Sequence, residues 1–320
     1  MNPFGLDAGQ RVCDIGGIRV GGRPGTNPVL LIGSMFHKGD RLIASRKTAS
    51  FDKDAARAYL QKLRELSSKT SIPACIDVVG NGVAEFDAYL EFLAQETPAP
   101  LCIDAWKVDV RMEAARRAGA IDILDRLIYN SLNPWSPDLE REVQEIAEIG
   151  VKHVIVGVFD EADKFSSGRI RSLEAMLPVI ERGCFSSILI DTTVMNVAAM
   201  AFSLRAGVEI KQKFGLPVGC APANGTYTWK QIRAGGSREI FAGADAAAHA
   251  IAAVWSDFLF YGPMSGTERA FAAAAVADSI KALYTFSDSR KLSAAEFHPL
   301  RRLFPEFVDQ LERPQKQVKE

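Results

Sequence analysis

Six residues, Asp77, Asp104, Asn130, Asp160, Asp191 and Asn224, stand near the C-terminal ends of short apolar runs, and all are carboxylates or carboxamides. A carboxylate accepts two parallel N–H bonds, and a carboxamide donates and accepts at once. Such a set suits the edge of a neutral, nitrogen-rich heterocycle with an aminopyrimidinone face, which points to a pterin. Nucleophiles and bases are scarce at the same places. There is no Gly-x-Ser-x-Gly elbow and no Ser-His-Asp arrangement. Lys47 and Lys107 are the lysines near the expected rim, and neither lies inside an apolar run, so a Schiff-base lyase or isomerase is the weaker alternative. The four histidines form no pair at ligand spacing, so no metal site is expected. Any one of these Asp or Asn residues could simply cap the next helix. Six of them from six runs favour a common cavity. Asp104 is the clearest case, because its helix is expected to start near Asp109, the better cap.

The elements that would position these residues are eight apolar runs separated by helical stretches: Val29–Phe36, Pro73–Gly80, Pro100–Trp106, Arg126–Asn133, His153–Asp160, Ser186–Thr193, Pro217–Asn224 and Asp257–Met264. Strands alternating with helices read as βαβ units, and eight of them read as an α/β fold, a closed (β/α)8 TIM barrel whose active site lies at the C-terminal rim. Val12–Val20, with Gly16-Gly17 at its centre, reads as an N-terminal β-hairpin capping the barrel bottom. One domain is expected over 1–320: hairpin and connector at 1–28, barrel at 29–286 and a C-terminal extension at 287–320, with a short docking helix and a charged end. Trp106 and Trp135 could line a docking surface, whereas Trp229 and Trp255 read as core. Asn81-Gly82 reads as a plain turn. Lys38, Arg41, Arg46 and Lys47 form a basic stretch that could meet an anionic tail, with a solvated loop as the simpler reading.

Composition excludes several classes. A formal net charge of −1 over 320 residues leaves no basic footprint for nucleic acid. No apolar stretch approaches the roughly 20 residues of a membrane span, and the first residues carry no signal-peptide pattern. Five scattered cysteines suggest buried thiols in a reducing cytoplasm.

The segments GGRPGTNPVLLIGSMF, LIYNSLN, KFGLPVGCAPAN and FLFYGP, in this order, resemble the H subunit of tetrahydromethanopterin S-methyltransferase and the methyltetrahydrofolate:corrinoid-protein methyltransferases. The similarity runs from about Val12 to Ala277. CIDAWKVDVRMEAARRAGA also resembles the wider pterin-binding barrel group that includes dihydropteroate synthase. The resemblance implies a methyltransferase acting between a corrinoid (cobalamin) cobalt and N5 of a tetrahydropterin, tetrahydrofolate ahead of tetrahydromethanopterin. It implies that Asp104, Asn130 and Asp191 grip the pterin, that Asn224 lies beside N5, and that Asp160 and Asp77 assist. Asn224 and Asp191 are the expected catalytic pair. No Asp-x-His-x-x-Gly segment of a corrinoid domain is present, so a separate corrinoid protein docking at the mouth is implied, with a homodimer as a further partner. A non-catalytic pterin-binding subunit is the remaining alternative.

Overall fold

In a computed structural model that describes Leu6 and residues 9–235, 237–289 and 291–313, twelve strands and twelve helices follow the chain in order. The first two strands, β1 (Val12–Ile15) and β2 (Ile18–Gly21), form the expected hairpin. Its turn needs positive φ at both central positions, and Gly16 and Gly17 adopt +57° and +85°. The barrel strands are β3 (Leu30–Met35), then β6 (Ala74–Val79), β7 (Leu101–Asp104), β8 (Leu127–Leu132), β9 (His153–Gly157), β10 (Ser187–Asp191), β11 (Val218–Cys220) and β12 (Phe258–Pro263). Between β3 and β6 a small pair, β4 (Ile43–Ser45) and β5 (Ser50–Phe51), stiffens the loop over the rim. All eight barrel strands pair in parallel and β12 closes on β3.

The barrel interior is a layer of Leu30, Cys75, Cys102, Ile128, Ile155, Leu189 and Phe258, and the hairpin seals it from below with Cys13, Ile15 and Val20. The opposite strand faces pack under helices α1 (Lys53–Thr70), α2 (Val83–Glu96), α3 (Val108–Ala120), α4 (Leu139–Ile149), α5 (Ser166–Ile180) and α6 (Met200–Phe214). Helix α1 is capped by Asp52, whose Oδ1 accepts from Asp54 N and Ala55 N at 3.1 and 2.9 Å.

Several expectations change. Helix α3 begins at Val108 after Lys107, so Asp109 lies in its first turn and caps nothing. The seventh strand is short, and the region after it breaks into α7 (Pro222–Tyr227), α8 (Lys230–Gly235) and α9 (Arg238–Trp255). Pro222 cannot continue a strand ladder but suits the first turn of a helix. Trp229 and Trp255 are surface residues, 39% and 38% exposed, Trp229 in the link between α7 and α8 and Trp255 as the last residue of α9. Helix α10 (Thr267–Ser289) packs on α9, and α11 (Pro299–Leu303) and α12 (Pro305–Glu312) dock by Leu300 and Val308 against Ala282. The charged end expected after α12, 314–320, lies outside the described residues.

Candidate active site

Strand parity decides which side chains reach the cavity of about 800 Å3 at the C-terminal mouth. On β6, Ile76 and Val78 pack outward while Cys75 faces the interior, so Asp77 and Val79 face the axis. The same alternation sets Asp104 above Cys102, Asn130 above Ile128 and Asp191 above Leu189. Ser34 joins the row from β3, and its hydroxyl donates to Asp77 Oδ2 at 2.8 Å. Asn224 arrives by another route. It lies on the first turn of α7, exposed to the cavity, and among the described residues its side-chain amide has no hydrogen bond.

Asp160, expected at the mouth, does not line this cavity. The inward position at the top of β9 is Gly157, where the strand ends. Three residues further on, Asp160 Oδ1 accepts from Ala162 N at 2.8 Å and Asp163 N at 3.3 Å, and Oδ2 accepts from Arg171 at 3.2 Å. It caps a loop, and the backbone bond from Ala162, with help from Arg171, holds its carboxyl below the usual range. Asn133 lines the cavity but is spent on its own turn, donating to Ser131 O at 3.0 Å and accepting from Trp135 N at 3.1 Å. Lys47 lies away from the cavity, whereas Lys107 and Asn81 line its rim.

Three carboxyl groups buried at the floor of one mouth cannot all ionise freely. Burial pushes Asp77 well above the ordinary carboxylate range, and Asp104 beside it adds to the rise. Its Oδ1 is buried without a hydrogen-bond partner among the described residues. Burial raises Asp104 to about 6 against the pull of Arg111. Asp191 also reaches about 6 through burial, opposed by the Thr193 N–H and by Arg169 and reinforced by Asp104. An orphaned carboxyl oxygen on Asp77 and two carboxyls poised near neutrality form a floor whose unused hydrogen-bonding capacity fits the polar edge of a ligand.

The chain matches the family model described as tetrahydromethanopterin S-methyltransferase MtrH subunit over residues 8–289. It belongs to that family. Among its relatives is the H subunit of tetrahydromethanopterin S-methyltransferase from Methanothermobacter thermautotrophicus, 32% identical over 86% of this chain and 92% of that protein. The H subunit from Methanocaldococcus jannaschii is 31% identical over 94% of this chain and 99% of that protein. Both relatives are methyltransferase subunits by name, and the chain is of the methyltransferase class. Solved structures of similar fold include Yersinia pestis dihydropteroate synthase with a sulfonamide drug, with TM-score 0.61, 13% identity and coverage of 85% of this chain and 100% of that one. Xanthomonas albilineans dihydropteroate synthase with 4-aminobenzoic acid has TM-score 0.59 at 17% identity, covering 86% and 100%. At such identities these two establish the barrel architecture of this MtrH-family chain and nothing of its chemistry.

Sequence reading missed two side chains at this MtrH-family site. Ser34 gives no signal beyond its place two residues after the inward Ile32, a parity available in the sequence. Arg111 gives none, since an arginine on a helix ordinarily faces water. It is 3% exposed, donates to Ala105 O at 2.5 Å and Glu142 Oε1 at 2.6 Å, and lies 5.0 Å from the Tyr129 ring centroid. Tyr129 and Ser136 hydroxyls donate to the two oxygens of Glu142, each at 2.6 Å. This buried network ties α3, α4 and β8 together behind Asp104 and Asn130.

The raised carboxyls predict an unusual stability profile. A folded-state pKa of about 6 against 3.8 means that the folded protein holds protons on Asp104 and Asp191 that the unfolded chain releases. Their contribution therefore favours folding at low pH and is lost as pH rises from about 4 through 6. Asp104→Asn should raise the thermal midpoint at pH 7.5 and change it little at pH 4.5. Equal shifts at both pH values would contradict the burial of an ionising group here.

Proposed function

We propose that this protein moves a methyl group between N5 of a tetrahydropterin and the cobalt of a corrinoid carried by a separate protein. The observation that carries the reading is the inward row Asp77, Asp104, Asn130 and Asp191 sharing one cavity with the unbonded amide of Asn224. The carboxylates would accept the parallel N–H bonds of the pterin's amino-oxo edge, and Asn130 would donate to or accept from the adjoining ring atoms. Held so, the ring presents N5 to the open mouth, and such positioning lowers a barrier by several kcal/mol.

The bound corrinoid supplies a metal that takes up or gives up methyl. The protein's task lies at N5. In the demethylating direction N5 keeps the electron pair of the broken N–C bond, and the Asn224 N–H can donate to that pair. In the methylating direction the Asn224 carbonyl can accept a hydrogen bond from N5–H and turn the lone pair toward the incoming carbon, and the proton that N5 loses on gaining the methyl group leaves to solvent through the open mouth. Neither direction needs a protein nucleophile, which suits a rim without one. Tetrahydrofolate, the expected pterin, and tetrahydromethanopterin, named in the relatives, share the ring edge this row addresses. Trp106, Trp135, Phe165 and Met195 stand 88%, 46%, 59% and 49% exposed past four successive barrel strands and support docking of the corrinoid protein at this rim. A homodimer finds support on the far side of the molecule. There Ile251 and Trp255 of α9 and Val276 and Ile280 of α10 are exposed, with no charged side chain among the exposed positions from Ile240 to Trp255.

The test is loss of the methyl–cobalt spectrum when protein, methylcobalamin and either tetrahydropterin are mixed. Asn224→Ala should slow transfer about 10²- to 10³-fold, the usual cost of removing one such hydrogen-bonding group, while pterin affinity stays within a few-fold. No demethylation with either pterin, even with a corrinoid protein supplied, would sink the reading.

A further inference from the structure

Beside the mouth lies a second cavity of about 760 Å3, walled by the loop after β3, by α7 and the start of α9, and by the loop after β12. Loops after the last two strands are where barrels of this architecture commonly hold anionic groups. The lining here is cationic through Arg41, Arg238 and Arg269, with His37 beside them. Arg41 and Arg238 are exposed and have no ion-pair or hydrogen-bond partner among the described residues. Arg269 is fixed instead. Its Nε and Nη2 donate to Asp245 Oδ2 at 3.1 and 2.9 Å, and its guanidinium sits 5.5 Å from the Phe241 ring centroid. Asp40 is the acid of the lining, and its two oxygens are taken by backbone N–H groups of Phe36 and Leu42 at 2.7 and 3.1 Å. Three arginines thus face a cavity whose own carboxylate is already engaged.

The two cavities share a wall. A Cβ on Gly262, which lines the first, would stand 3.0 Å from Ala223 Cβ and 3.8 Å from Tyr227 Cε2, and Tyr227 lines the second. Asn224 and Tyr227 lie about one turn apart on α7. In a tetrahydropterin the carbon that bears the tail, C6, is bonded to N5. With N5 at Asn224, C6 lies within one bond of that point, and a tail running along α7 would pass Tyr227 and the small Gly262 wall.

We propose that the second cavity receives the anionic tail of the tetrahydropterin, with Arg41 and Arg238 facing its carboxylate or phosphate groups and Arg269 as a fixed cation behind them. This rests on the pterin reading of the first cavity. It also gives the basic loop after β3 a task that a merely solvated loop would not have.

The test compares tetrahydrofolate with the tail-less 6-methyltetrahydropterin by calorimetry, using the full chain and Arg41→Gln/Arg238→Gln. The double variant should bind tetrahydrofolate about tenfold more weakly, the scale of two exposed charge contacts, and 6-methyltetrahydropterin as the wild type does. On the wild type, raising salt should shrink the affinity gap between the two ligands, since exposed charges are screened. Unchanged tetrahydrofolate affinity, or an equal loss for both ligands, would overturn the tail site. In a third titration, with cobalamin, a loss confined to that ligand would assign the arginines to the corrinoid's phosphate and equally overturn the tail site. Failure of the wild type to bind either pterin would refute the pterin reading itself, and the tail site with it.

Discussion

Asp191→Ala should weaken tetrahydropterin binding about 100-fold. A hydrogen bond to a charged group contributes about 1.5–3 kcal/mol, and the ligand N–H left facing an apolar gap adds a desolvation cost. Asp191 stands at the mouth of β10, with Oδ1 accepting the Thr193 N–H at 2.8 Å, so its carboxyl is oriented before any ligand arrives. Asp191→Asn keeps that acceptor and the volume and should lose about tenfold. Asp104→Ala should match Asp191→Ala, while Asp160→Ala should leave the affinity unchanged, because Asp160 is bound to its own loop and to Arg171. Titration calorimetry with tetrahydrofolate and tetrahydromethanopterin reads all four. An Asp191→Ala protein within threefold of wild type would remove Asp191 from the pterin grip.

Glu142→Ala should be the most destabilising single change at the site, by about 3–5 kcal/mol, because it strands a charged arginine in the interior. Arg111 is 3% exposed and Glu142 1%. The same change orphans the hydroxyls of Tyr129 and Ser136. Replacing both charged partners, as Arg111→Met/Glu142→Met, should recover most of the loss, since no unpaired charge remains. Urea unfolding of the three proteins measures this. A double variant no more stable than Glu142→Ala would mean that packing, and not the stranded charge, sets the cost. The double variant should also show a higher Asp104 pKa, because Arg111 is the group that opposes its rise.

Much of the site was legible in the chain because a strand repeats every two residues. Asp77, Asp104, Asn130 and Asp191 each follow an inward apolar residue (Cys75, Cys102, Ile128, Leu189) by two positions. Asp160 follows Ile155 by five and breaks this rule, so parity alone distinguishes it from the others. Proximity to a strand's end was too coarse a criterion. Asn224 was found by its motif and misplaced by one element, because Pro222 turns the chain into α7 before the strand can extend to it.

The alternation of apolar runs and helices by itself determined the closed barrel, its hairpin floor and the end at which the polar residues gather, since periodicity and turn glycines are local properties. Tertiary structure alone decided the rest. Whether Arg111 is a surface charge or a buried strut depends on Glu142, 31 positions away. The pKa values near 6 of Asp104 and Asp191 depend on how strands distant in sequence enclose them together. The second cavity exists only where segments around Arg41, Arg238 and Arg269 meet. Burial and charge coupling are sums over neighbours in space, and barrel closure is what makes these residues neighbours.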